Sequence, residues 1–271
     1  MSDYFAYPNN PIGWQAKPRD FTGDNMLGIY TAETTQRFIP GTKYIAWDGR
    51  EFRYAKSGSA VIASEACYFA ATGYTAITAF AVAGVIGDTS ITVPAATHAA
   101  LAKDELAGGY ILIFTGGSDN QDNQFRGIIG NDAAVANALF KVYMDGPLTS
   151  TVVVTTSSCE TYQNPWMNMT HTTGSSTLAK AGVPAVYVSA SGYYFWVQTK
   201  GPIFVNPQSG VSSGKGMGCF WRNDGSIEDA NAALAVTTAT YGSSQYAGHI
   251  IEGSYDGNGP LFMLQGAYKV S

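Results

Sequence analysis

The residues that could carry chemistry are few and scattered. Gly210-Val211-Ser212-Ser213-Gly214 fits the letters of G-x-S-x-G, but a nucleophile elbow needs a strand before its serine and a helix after it. Lys215-Gly216-Met217-Gly218 follows instead, a run that cannot start a helix, and His249 is the one histidine downstream. Gly214, Gly216 and Gly218 also lack the spacing and βαβ setting of a dinucleotide fingerprint. Glycoside hydrolysis needs two carboxylates on opposite sides of a sugar; Asp104-Glu105 and Glu228-Asp229 are adjacent pairs and read as exposed loop or helix-start charges. Asp119 and Asp122, in the polar run GGSDNQDN, miss the glycine and closing glutamate of an EF-hand. Cys67, Cys159 and Cys219 are isolated and odd in number, so they read as buried reduced thiols and not as a disulfide framework or zinc site. His98 reads as solvent-facing or capped. His171 has no Asp, Glu or Cys within ten residues downstream to complete a metal site. No catalytic, cofactor-binding or metal-ligating residue is assigned.

The elements around these residues are strands. Tyr44–Gly58 (YIAWDGREFRYAKSG) carries Asp48-Gly49 between two β-rich runs, a hairpin signal of the type I′ kind. On the return arm Phe52 and Tyr54 face one way and Glu51 and Arg53 the other, as in a half-buried strand. Tyr44 and Ala46 alternate with apolar Ile45 and Trp47, so the first strand is expected to be covered on both faces. Further strands are expected at 89–93, 109–115, 124–130, 139–144, 151–156, 184–189 and 193–200, where Gly201-Pro202 breaks the run before 203–205, and again at 217–222, 248–253 and 260–270, with 228–241 less defined. Residues 95–106 read as a short helix or compact loop, and Asn164-Pro165-Trp166 as a turn. Regular short strands with Gly, Pro and Asn turns point to an all-β protein of two β-sandwich or barrel-like domains. The expected boundaries are an extended N-terminal arm over 1–43, a β domain over 44–173 and a second over 174–271. The arm, rich in Pro, Asn and Gly with scattered aromatics, suits docking on a neighbouring subunit.

Of 271 residues only 13% are charged, about half the usual share, which suggests a surface partly covered by other protein. The net charge is -5 and no Lys/Arg cluster occurs, which argues against nucleic acid as a ligand. Ala66–Gly87 is uncharged and long enough to span a bilayer. It is built from Ala, Gly and Thr without flanking basic residues, however, and reads as two or three buried or interface strands. MSDYFAYPNN lacks the features of a signal peptide, so the chain is expected to be made in the cytosol.

Several segments resemble a family of tailed-bacteriophage virion structural proteins. They are DGREFRYAKSG at 48–58, GDTSITVP at 87–94, AGGYILIFTGG at 107–117, QFRGIIGN at 124–131, MDGPLTS at 144–150, NPW at 164–166 and GYYFWVQTKGP at 192–202. The loop over 116–123 is longer and more acidic than the family pattern. The resemblance implies a protein that decorates or cements the capsid exterior by binding the major capsid protein, commonly as a homotrimer at three-fold positions. It implies no catalysis, no cofactor, and no nucleic-acid or membrane partner. A receptor- or glycan-binding module of a head fibre or tail is the alternative, with its site in the 116–123 and 206–216 loops.

Overall fold

The computed structural model describes residues 28–46, 48–70, 74–75, 78–95, 98–116, 123–171, 178–207, 211, 216–229, 245–253 and 259–265. It is all-β, two curled sheets forming half-barrels. The strands are β1 (Lys43–Ile45), β2 (Glu51–Lys56), β3 (Cys67–Phe69), β4 (Thr78–Ala79), β5 (Ser90–Val93), β6 (Tyr110–Phe114), β7 (Gln124–Asn131), β8 (Phe140–Met144) and β9 (Ser158–Tyr162). They continue as β10 (Met169–Thr170), β11 (Lys180–Pro184), β12 (Tyr194–Phe204), β13 (Gly218–Trp221), β14 (Ile227–Asp229), β15 (Tyr246–Glu252) and β16 (Leu261–Leu264). A 6-stranded sheet runs β4-β9-β6-β7-β8-β5. A 10-stranded sheet runs β10-β3-β11-β12-β16-β15-β13-β14, with β1 and β2 joined to it through β12.

These sheets divide the chain differently from the boundary expected at 173/174. β2 pairs with β12, and β3 with β11, so both flanks of the sequence build one sheet and the strands between 78 and 162 form an insert. β2 takes its sequence neighbour β1 along one edge and the distant YYFW run of β12 along the other.

β12 organises the larger sheet. It pairs with β2 through Tyr194–Lys200 and with β16 through Gly201–Phe204. The break expected at Gly201-Pro202 is therefore a change of partner within one strand of 11 residues. Gly201 makes that change possible with φ +100, and a Cβ there would stand 2.9 Å from Arg50 Cγ and 3.1 Å from Arg50 Cα. Trp196, Tyr54 and Phe52 are fully buried. Around Trp196 the rings of Tyr54, Phe38 and Tyr44 sit at 5.2, 5.5 and 5.8 Å, within the range of favourable aromatic pairs.

The hairpin forms with Tyr44 opposite Phe52, but its turn is wider than type I′. The Ala46 amide donates to the Arg50 carbonyl at 2.8 Å, and the Gly49 amide to Ala46 at 2.9 Å. Gly49 at φ +83 supplies the left-handed residue. Ile45 is half-buried, not covered.

Residues 28–43, the described part of the expected arm, pack on the chain's own sheet. Ile29 is buried, Glu33 bridges Tyr194, and the Gly41 amide donates to the Tyr54 carbonyl at 2.7 Å. Residues 1–27 lie outside the described residues.

In the insert, β6 and β7 pair as expected, Ile113 opposite Gln124. Ile111, Ile113, Ile128, Val142, Leu106 and Leu148 fill its core. Of residues 95–106, those described (95 and 98–106) form a loop with no helix. The strand expected at 151–156 is absent: Val152 makes one bridge, to Gly84, and Thr155 at φ +69 turns the chain. The paired strand is β9, whose alternation of buried Cys159 and Thr161 with half-buried Glu160 and Tyr162 was masked by its polar composition.

The two parts meet at Asn164. Its side chain accepts from the Trp166 amide at 2.9 Å and donates to the Pro40 carbonyl at 2.8 Å, capping the short 3-10 turn Pro165–Met167.

Candidate functional site

The groups singled out for chemistry are held apart, each within its own packing. The three cysteines are buried and free. Burial pushes the Cys67 thiol far up and that of Cys159 up to about 12, which keeps both protonated and unreactive. His98 is buried and capped, the second of the two expected states. Its ring nitrogens lie 2.6 and 2.8 Å from the carbonyls of Ala99 and Ala138, and its ring meets Phe140 edge-on. Asp104-Glu105 sits in an exposed turn, where Glu105 accepts from the Ala102 amide at 2.7 Å. Glu228 is not the exposed charge expected: it is buried and paired with Arg222 at 3.1 Å. Of the G-x-S-x-G run, Gly210 and Ser212–Gly214 lie outside the described residues. Asp119 and Asp122, and most of the 116–123 and 206–216 loops, lie outside them too. Among the described residues no group of three or more His, Cys, Asp or Glu could hold a metal ion, and no helix is long and apolar enough to cross a membrane.

A polar cluster surrounds Tyr68 on β3. His171 Nε2 lies 2.6 Å from Glu65 Oε2 and 3.1 Å from the Asp224 carbonyl. Asn206 donates to the other Glu65 oxygen at 3.0 Å. The Lys180 ammonium stands 4.6 Å from the Tyr68 ring centroid, and burial lowers its pKa while Asp224 opposes the shift. The Tyr68 hydroxyl donates to the Asn223 carbonyl. These groups satisfy one another and tie β3, β11 and the β13–β14 turn together. The arrangement is a clasp: its charges are consumed within the chain, with none aimed at an open cavity. An open cleft lies beside Arg50, whose guanidinium donates to Asp48 at 2.7 Å and to the Tyr30 hydroxyl at 3.0 Å.

What remains unpartnered is apolar surface, concentrated on the insert. Register places Tyr110 opposite Gly127 and Leu112 opposite Phe125 on the outer face of β6 and β7. With no side chain on Gly127, Tyr110 leans onto Phe125, and the rings stack at 5.1 Å and 19°. Both are exposed, Phe125 at 57%. A bulge between Ile128 and Gly130 throws Ile129 outward to 64% exposure while its neighbours stay buried. A second apolar group lies where the β4–β5 and β8–β9 connections meet: Val82, Val85, Ile86, Val153 and Val154 are all exposed.

The sequence carried a signal for both groups. The alternation of β6 was legible, but that its outer positions are aromatic and bare depends on the partner glycine across the sheet. The uncharged run 66–87 reads as two or three buried or interface strands, and the equally uncharged run 146–159 contains the strand expected at 151–156.

Compared with family models, curated proteins and solved structures, the chain matches none.

Proposed function

We propose that the chain is a structural protein of a tailed-bacteriophage particle. In this reading it decorates the capsid exterior, binds the major capsid protein without catalysis, and cements the shell as a homotrimer. The observation that carries the reading is the rigid outer face of β6 and β7, with the stacked Tyr110–Phe125 pair and the out-turned Ile129. Aromatic anchors on a fixed sheet bind at low entropic cost, and soluble monomers seldom leave such groups bare. The ordered motifs from residue 48 to residue 202 supply the particle, and the low charge suits a surface that spends its life covered. A cement subunit that touches several capsomers turns weak single contacts into tight attachment.

The test is co-sedimentation of the purified chain with assembled shells of the major capsid protein. Saturable binding is expected, with a loss of about tenfold or more for Phe125→Ala, as for an interface anchor. Shells that sediment without the chain at any concentration would overturn the proposal.

A second reading is supported by the same stacked pair: exposed rings beside the polar Arg126 could stack on a sugar, as in a receptor-binding module of a head fibre or tail. A glycan array with hits abolished by Phe125→Ala would favour it, and a flat array would remove it.

A further inference from the structure

The cleft beside Arg50 encloses about 360 Å³, within the range of small-ligand sites. Gln198 on β12 lines it and is only 3% exposed. Its Nε2 donates to the carbonyls of Lys200 and Pro202 at 3.2 and 3.0 Å, and two acceptors around one atom fix which end of the amide is the nitrogen. The Oε1 end therefore points away from those carbonyls. Among the described residues it accepts no hydrogen bond, and it is not sealed from the open cleft. Ser64, also on the cleft wall, sits at φ +97, a strained conformation of the kind that gathers at ligand sites. Its carbonyl accepts from the Asn206 amide at 2.7 Å, while its hydroxyl has no partner among the described residues.

Arg50 and Tyr30 stand together at the cleft. The guanidinium donates through Nε to Asp48 and through Nη1 to the Tyr30 hydroxyl, which leaves Nη2 without a partner among the described residues. The Asp48 carboxylate offsets the guanidinium charge, so Nη2 offers donors more than a net field. The rest of the wall is mainly apolar, with Pro184, Ile203 and the exposed ring of Phe204. A fixed acceptor thus shares one cleft with a free hydroxyl, free N–H groups and a bare aromatic ring. A saccharide matches this set. Each of its hydroxyls both donates and accepts, and the C–H face of a pyranose packs on an aromatic ring. A purely apolar ligand would leave the Gln198 acceptor and the Ser64 hydroxyl buried and unmet. A peptide backbone finds little to pair with, since Pro184 and Pro202 have no N–H and Ile203 already pairs with Phe262.

We propose that this cleft binds a neutral pyranose unit of a glycan. Gln198 Oε1 accepts from one ring hydroxyl, Ser64 Oγ and Arg50 Nη2 meet its neighbours, and Phe204 carries the C–H face. The inference goes beyond the proposed function. Its site belongs to the larger sheet and not to the stacked Tyr110–Phe125 pair of the insert, so neither capsid attachment nor the second reading depends on it.

The test is saturation-transfer-difference NMR of the full chain with glucose, galactose, mannose and N-acetylglucosamine, beside glucuronate and a blocked alanyl-phenylalanine dipeptide. Signals are expected from the neutral sugars. Phe204→Ala is expected to weaken binding by about tenfold, and Ser64→Gly by about fivefold. Glycine adopts φ +97 without strain, so Ser64→Gly should keep or raise the thermal midpoint while binding falls, a split that a merely structural serine would not give. Phe125→Ala, on the insert, should bind sugar as the wild type does. No signal from any neutral sugar, or a signal indifferent to both Phe204→Ala and Ser64→Gly, would overturn the inference. Binding confined to glucuronate, which would mark a carboxylate site, or to the dipeptide would overturn it as well. So would a signal lost in Phe125→Ala alone, which would move the sugar to the β6–β7 face.

Discussion

The two sheets solve the same problem with different materials. The ten-stranded sheet closes over aromatic rings, Trp196 with Tyr54, Tyr44 and Phe38, and carries ion pairs such as Glu51 with Lys43 at 2.8 Å and Arg222 with Glu228 at 3.1 Å. The insert packs aliphatic side chains, contains no ion pair among its described residues, and leaves Tyr110, Phe125, Ile129, Val85 and Ile86 in solvent. The first sheet also leaves Phe204 and Leu261 exposed, at 46% and 48%; on the second, the exposed rings of Tyr110 and Phe125 stack on one another, the feature on which the proposed attachment rests.

The contrast can be broken most forcefully at the cores. Trp196→Ala is expected to cost about 3–5 kcal/mol, measured by urea unfolding, since it empties the centre of the aromatic cluster. Ile111→Ala should cost about 2–5 kcal/mol. Hydrogen exchange should localise the loss: protection falls across β5–β9 while β2 and β12 keep theirs. Equal loss in both sheets would mean that they open as one unit and that the division drawn here is wrong.

Next in size is Gly84→Val, which forces a side chain against Leu148 and should cost about 1–3 kcal/mol in a thermal melt.

Alkaline pH sharpens the comparison from both sides. Burial pushes Cys159 in the insert and Tyr54 in the larger sheet up to about 12. Each is kept neutral when folded and ionises more readily when unfolded. The stability this contributes is complete below the ordinary values of 9.0 for the thiol and 10.0 for the phenol, and is lost as pH rises toward 12. Cys159→Ser should flatten that decline for the insert, and Tyr54→Phe for the other sheet, both read by exchange-resolved unfolding. The smallest effect is expected at Glu51→Gln. Its partners Lys43 and Lys200 are partly exposed, so the change should stay within about 1 kcal/mol.

Local structure was largely legible in the sequence. Phe52 and Tyr54 declared their buried face by alternation, GYILIFT declared β6, and the Asn164-Pro165-Trp166 turn is where its residues placed it. Long-range pairing was not legible. Nothing in YYFWVQTKGP states that it joins β2 across more than a hundred residues of chain, or that Gly201 passes the strand to a new partner. Polar strands such as SCETY were hidden because their buried positions hold Cys and Thr. The surfaces were half visible: missing charge marked 66–87, but only the fold brings Val153 and Val154 beside Val85 and Ile86.

The most direct test of the central claim, that this chain attaches to a shell through its insert, is cryo-electron microscopy of the purified phage particle with the chain traced in the map. Density at three-fold positions, with the β6–β7 face against the capsid, is the predicted result. Density at a fibre or the tail tip, or particles without the chain, would contradict it.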